Sequence, residues 1–192
     1  LDLPHLHHFK IKGSQGLRFS PVTHNLRSLT IVTGGLHIHV ITGVWSSHLP
    51  MLQHLELWFG TEDYGSDFTP AQICELLLTT EESGKFPSLE YLGLRNYEHV
   101  SQICEGVFKS AISKRVRTID LSLGNLTDEG AIKILEALAD EHMSEYPLLE
   151  ALNLNHSSIS DDVAKRLEQL PIFVDLSDRD PTDDERYISV SE

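Results

Sequence analysis

At 192 residues, with 40% hydrophobic and 23% charged residues, the chain has the make-up of one globular domain with a sizeable core. Its 29 acids against 15 bases give a formal charge of −14, which argues against nucleic acid as the main partner because phosphate binding rests on basic contacts. No apolar run approaches the roughly 18 residues of a membrane helix, the two cysteines make no disulfide framework, and no signal peptide opens the chain, so cytoplasm is the expected compartment.

The first residues, LDLPHL, begin at Leu1 rather than Met and already read as repeat material, so an upstream segment is expected to be missing. In chain order the pattern L-x-x-L-x-L occurs as LHHFKI at Leu6, LRSLTI at Leu26, LQHLEL at Leu52, LEYLGL at Leu89, VRTIDL at Val116 and LEALNL at Leu149, with a degenerate PIFVDL at Pro171. The starts are 20, 26, 37, 27, 33 and 22 residues apart, and Pro4, Pro50, Pro87 and Pro147 each sit two residues before the first leucine. Spacings that bracket 20–29 residues are those of leucine-rich repeats. Each strand alternates, so Leu55 and Leu57 point inward and Glu56 points out. None buries its apolar side alone, and stacking the repeats supplies a continuous core. The expected fold is an α/β leucine-rich-repeat solenoid, a horseshoe of about seven repeats with parallel strands on the concave face and helices on the convex face. Residues 1–178 form this domain and 179–192 an acidic capping segment or tail.

Between strands, helices are expected where length permits. TPAQICELLLTT has Thr69 as N-cap, Pro70 at the first position and Gln72 completing a capping box, with Ile73, Leu76 and Leu77 on one face. SQICEGVFKSAI turns Ile103, Val107 and Ala111 inward. LTDEGAIKILEALADE starts at Thr127 with Ile132, Leu135 and Leu138 inward, and SISDDVAKRLEQL starts at Ser160 with Val163, Leu167 and Leu170 inward. The first interval is too short for a helix, and Gly13, Gly16 and Pro21 predict turns. QICE recurs at Gln72 and Gln102, which places Cys74 and Cys104 on adjacent helices about 10 Å apart, too far to bridge, as buried reduced core residues.

Chemistry is sparsely marked. His5, His7 and His8, and the pair His37 and His39, are the densest histidine groups; two imidazoles at i, i+2 on a strand share a face, but a zinc site needs three or four ligands, so they read as surface histidines. Glu62, Asp63 and Asp67 around Gly65 lack calcium-loop spacing, and no nucleophile elbow, phosphate loop or dinucleotide fingerprint occurs. Lys114, Arg115 and Arg117 are the one basic run, read as a solvated edge. No catalytic residue, metal ligand or cofactor is assigned.

What remains is the outward side of the sheet. One stripe comprises Lys10, Thr30, Glu56, Gly93, Asp120, Asn153 and Asp175; its neighbour comprises Lys12, Val32, Trp58, Arg95, Ser122, Asn155 and Ser177. Trp58 and Arg95 fall on adjacent strands near Tyr91, and Trp, Tyr and Arg dominate interface hot spots. Packing of Trp58 under its own loop, against Phe59 or Tyr64, is the competing arrangement.

The stretches NLRSLTIVTGGL, HLELWFGTEDYGSD, LGLRN, IDLSLGNLTDEGA and VDLSDRD…ERYISVSE closely resemble a bacterial leucine-rich-repeat family, uncharacterised and known chiefly by an enterobacterial locus-tag name, with ribonuclease-inhibitor-like repeats. The resemblance covers nearly the whole chain and is most specific from Trp58 to Asp67 and in the tail. It implies no catalytic residues. Relatives encoded beside radical-SAM, ATP-grasp and sulfatase-like proteins, some with an upstream WGR-type domain, imply a supporting role. The family's usual asparagine at the ninth repeat position is replaced by Gly60, Tyr97, Gly124 and Ser157, which breaks a regular asparagine ladder.

The resulting expectation is a non-enzymatic scaffold that binds a protein partner, and neither nucleic acid nor membrane, through Trp58, Arg95, Tyr91, Glu56, Asp120 and Asn153, with Lys10 and Lys12 at one edge. The alternatives are an enzyme or metal protein centred on the Gly60–Asp67 loop, or a structural support for an upstream domain. The part through about Asp180 is expected to cap the core and Tyr187, Ile188 and Val190 to pin the tail as an extended segment, a disordered acidic tail being the alternative.

Overall fold

The computed structural model describes residues 3–13, 16–79 and 84–182. Seven strands form where the leucine pattern falls: β1 (His8–Lys12), β2 (Ser28–Val32), β3 (His54–Gly60), β4 (Tyr91–Tyr97), β5 (Thr118–Asp120), β6 (Ala151–Asn153) and β7 (Phe173–Asp175). They make one sheet in chain order, every neighbouring pair parallel. A parallel neighbour requires the chain to return along the sheet, and five returns carry helices: α1 (Ile38–Trp45), α2 (Pro70–Leu78), α3 (Val100–Lys109), α4 (Asp128–Ala137) and α5 (Asp161–Leu167). The described residues thus form an α/β fold with a seven-stranded parallel sheet and five helices.

The core lies between sheet and helices. Leu29, Ile31, Leu55, Leu57, Leu92, Leu94, Ile119 and Leu152 are at most 1% exposed, and they share one apolar cluster with Val40, Ile73, Leu77, Ile103, Val107, Ile134 and Leu167 from the helices. Burial of each such side chain is worth about 2 kcal/mol. Neighbouring helices pack on one another, α2 on α3, α3 on α4 and α4 on α5. The Trp58–Phe59 pair splits across the sheet: the Phe59 ring turns inward to meet Phe68 and Tyr97 at 5.1 and 5.2 Å, while Trp58 faces out with Arg95.

Strand length follows from one side chain. At the third residue of β5, β6 and β7 stand Asp120, Asn153 and Asp175, whose Oδ1 atoms accept the N–H of Ser122, Asn155 and Ser177 at 2.9, 3.0 and 2.9 Å. These local bonds turn the backbone and end each strand after three residues. Glu56 and Gly93 occupy the same register in β3 and β4 and cannot close that turn, so both strands run for seven residues. Three residues past this register, Asn96, Leu123, His156 and Asp178 adopt φ of 56°, 63°, 60° and 55°. The left-handed residue therefore recurs although its identity varies.

Several expectations need correction. The segment from Ile38 to Trp45 is a helix, so His37 is its N-cap residue and His39 lies in its first turn rather than on a strand; their rings stack at 5.3 Å. In α4 the buried face is Ala131, Ile134 and the following Leu138, while Ile132 and Leu135 are half-buried; α4 packs on α3 and α5 as well as over the sheet. Ala111 lies beyond the end of α3 and is half-buried. Cys74 is also half-buried against α3, whereas Cys104 is buried; both are free thiols. The expected caps hold unevenly. Thr69 and Gln72 form the complete capping box and Ser160 caps α5, but Thr127 makes no cap bond and instead meets Ser101. Past β7, Arg179 donates to the carbonyl of Ile159 and Asp180 N–H to that of Ser157, tying the chain back to the preceding repeat. Tyr187, Ile188 and Val190 lie outside the described residues.

Candidate functional site

The outward face carries a polar network built across four strands. Register aligns Glu56, Gly93, Asp120 and Asn153 on β3 to β6, and Trp58 with Arg95. Asp120 is its centre and is only 3% exposed. Its Oδ2 accepts the Tyr91 hydroxyl at 2.6 Å and the Asn153 amide at 3.0 Å, and lies 3.4 Å from Arg95 Nε. Arg95 Nε also donates to Ser122 Oγ at 3.0 Å, and its Nη1 reaches Glu56 Oε1 at 3.3 Å. The same Glu56 oxygen accepts Trp58 Nε1–H at 2.7 Å. The Arg95 guanidinium carbon sits 5.2 Å from the Trp58 ring centre, a cation–π distance.

His54 completes the group. Its ring stacks on Tyr91 at 4.1 Å, and its Nε2 lies 3.4 Å from Glu56 Oε2. Gly93 makes room for this packing: a Cβ there would sit 2.9 Å from Tyr91 Cε1 and 3.3 Å from Glu56 Cγ. Tyr91 can therefore lie across β4 and reach Asp120 on β5.

The electrostatics follow from these contacts. Desolvation pushes the Glu56 carboxyl upward, but hydrogen bonds from His54 and Trp58 and the charge of Arg95 together outweigh it and hold the group down at about 2. Burial, then the charge of Asp120 and its hydrogen bond, push the Tyr91 hydroxyl above its ordinary value. At neutral pH Glu56 is an anion with no proton to give, and Tyr91 is a neutral donor committed to Asp120. The arrangement fixes an arginine and an indole at the surface.

Of the residues singled out from sequence, Glu56, Trp58, Tyr91, Arg95, Asp120 and Asn153 are brought into this one network. Lys10 and Lys12 are not: they stand exposed on β1, separated from Glu56 and Trp58 by Thr30 and Val32 of β2. Sequence reasoning missed His54, Gly93 and Ser122 as parts of the network, and it missed Phe173, which is 68% exposed on the outward side of β7. His54, Tyr91 and Phe173 occupy the first register of their strands, so carrying the period-two rule one row back would have found two of the omissions.

The Gly60–Asp67 loop serves the fold. Gly60 adopts φ 71°, and a Cβ there would fall 1.7 Å from the carbonyl oxygen of Gly34. The backbones bond directly, Thr61 N–H to Gly34 and Leu36 N–H to Phe59, each at 2.9 Å. Asp67 Oδ1 accepts the N–H of Ile38 at 2.6 Å and Oδ2 lies 3.2 Å from His37 Nδ1, so Asp67 caps α1 from 29 residues away. Among the described residues no group of three or more His, Cys, Asp and Glu is placed to hold a metal ion, and no helix is long and apolar enough to cross a membrane.

The basic run is absorbed locally. Lys114 meets Glu145, Arg117 meets Glu150, and Arg115 donates to the carbonyls of Ala111 and Lys85. A cleft of about 340 Å³ on the helix side is lined by Phe108, Lys109, Lys114, Lys133 and Tyr146 among others. Its three lysines pair with Glu105, Glu145 and Glu136, which leaves the cleft nearly charge-compensated.

The chain is similar to a protein from Bacteroides fragilis whose crystal structure was determined as a structural-genomics target: 32% identity and a TM-score of 0.73 over 90% of this chain and 46% of that one. The chain thus spans just under half the length of that protein. No family model matches the sequence, and no curated protein does.

Proposed function

We propose that the chain is a leucine-rich-repeat solenoid, strands concave and helices convex, that binds a protein partner on the outward sheet face and catalyses no reaction itself. Support for the solenoid comes from the chain-order parallel sheet, the common register of the L-x-x-L-x-L segments and the left-handed residue recurring three places after the shared register of Gly93, Asp120, Asn153 and Asp175. Membership of the bacterial leucine-rich-repeat family described above, and a cytoplasmic setting in keeping with two free thiols, belong to the same proposal.

One observation carries the binding reading: Trp58 and Arg95 are locked side by side at the surface by Glu56, Ser122 and Asp120. Side chains already held in place lose little freedom when a partner settles on them. Such residues are the type that dominates interface energies, with losses of about 2 kcal/mol on truncation. The test is recovery of partners from the native cell by the wild type and by a Trp58→Ala/Arg95→Ala variant. Loss of a wild-type partner supports the reading, and equal recovery of all partners refutes it. The alternative centred on the Gly60–Asp67 loop has Asp67 occupied in capping α1; elemental analysis of the purified protein and a hydrolase screen separate the two.

A further inference from the structure

On β3, a carboxylate and an aromatic ring two residues apart on the outward face hold a guanidinium between them. Glu56 Oε1 lies 3.3 Å from Arg95 Nη1, and the Trp58 ring lies 5.2 Å from Arg95 Cζ. The edge strand β7 presents the same pair in reverse order. Phe173 and Asp175 are two residues apart, in register with Ala151 and Asn153, and so on the same outward face. Here no cation fills the pair: among the described residues, Asp175 meets only the N–H and hydroxyl of Ser177, both at Oδ1. Phe173, at 68%, is the most exposed large apolar side chain of the described residues. A lone exposed ring is ordinary by itself; what sets Phe173 apart is the unfilled carboxylate of Asp175 two residues along the same face.

We infer that the β7 end of the outward face receives an arginine or lysine from an extended, basic segment of a protein partner, its head on Asp175 and its stem across Phe173. This rests on the proposed reading of the outward face as a partner surface and specifies which end is used and by what chemistry. Charge complementarity selects the occupant. The nine outward positions of β5 to β7 and their continuations (118, 120, 122, 151, 153, 155, 173, 175 and 177) include no Lys, Arg or His and two aspartates, of which Asp120 is buried against Arg95 and Asp175 meets no cation among the described residues. Those of β1 are His8, Lys10 and Lys12. A basic segment is therefore drawn to the β7 end and repelled from the β1 end. In the same row, Thr118 and Ala151 are the small residues that separate Tyr91 from Phe173. The long stem of an arginine or lysine fits such a surface, because it covers apolar area while its head reaches a carboxylate. A second copy of a chain carrying a charge of −14 is a poor occupant, and so is the chain's own DDERYISVSE, in which one arginine faces four acids.

The experiment titrates a fluorescent peptide of five arginines alternating with glycines into the full 192-residue chain at physiological ionic strength, reading anisotropy. Phe173→Ala and Asp175→Asn should each weaken binding about threefold to fivefold, the scale of an exposed cation–π or charge contact. Asn at 175 retains the local turn, and Phe173 is already exposed, so both variants should fold; circular dichroism checks this. Glu129→Gln, which removes one charge from the helix side, should leave affinity within about twofold. Equal weakening by Glu129→Gln and Asp175→Asn would overturn the inference in favour of diffuse attraction. Tighter binding by a chain ending at Thr182 would assign the site to the protein's own tail, and dimerisation abolished by Phe173→Ala would assign it to a second copy. Loss of the peptide with Trp58→Ala/Arg95→Ala but not with the β7 variants would overturn this inference while leaving the outward-face reading intact.

Discussion

Glu56 is the residue whose replacement most directly tests the network. Glu56→Gln keeps an oxygen able to accept from Trp58 and Arg95 but removes the charge. In the folded protein the carboxyl ionises at about 2 against an ordinary 4.5, and with about 1.4 kcal/mol for each unit of pKa displacement the ionised form contributes about 3 kcal/mol to stability when fully developed. The sign follows from the depressed folded value. The contribution is present above the unfolded pKa and is lost as pH falls toward the folded one, so it declines from about pH 5 to about pH 2. By pH 3 about 2 kcal/mol of it is gone. Urea unfolding of wild type and Glu56→Gln at pH 7, 5, 4 and 3 measures the difference between them. The wild type should be the more stable at pH 7, and its advantage should shrink by about 2 kcal/mol at pH 3. Parallel pH dependences would refute the claim that His54, Trp58 and Arg95 hold this carboxylate ionised.

Gly60→Ala should destabilise by about 3 kcal/mol or more, seen as a lower urea midpoint, because the added Cβ would overlap the Gly34 carbonyl at a left-handed φ. Asp67→Ala should cost about 1–2 kcal/mol through the lost cap on α1, while leaving the metal content of the purified protein unchanged. Leu123→Asn should raise stability by up to about 1 kcal/mol, since Leu123 adopts φ 63° and asparagine tolerates that region better. Burial pushes the Cys104 thiol up to about 12 and also raises that of Cys74, so native labelling should be slow at both; half-buried Cys74 should react first and Cys104 only on unfolding.

The leucine pattern places the seven strands and the way each faces. Leucines at alternate positions leave a parallel strand one stable register, since a slip of one residue would put Leu55 and Leu57 in water and Glu56 in the core. That is why the row from Lys10 to Asp175 follows from the leucine pattern and matches the observed pairing throughout. The caps at Thr69 and Ser160 were equally legible, because a capping residue and its target lie within one turn. Helix α1 was not, since His-Ile-His-Val-Ile has the alternation and β-branching of a strand; Asp67, 29 residues away, satisfies its first N–H. The tertiary structure alone decided what the outward residues do to one another. Tyr91 meets Asp120 across 29 residues and Arg95 meets Glu56 across 39, bonds set by side-chain rotamers and by the space that Gly93 leaves open. Period two places a residue on a face; only packing between neighbouring strands decides whether it is spent on its neighbours or, like Phe173, left open to solvent.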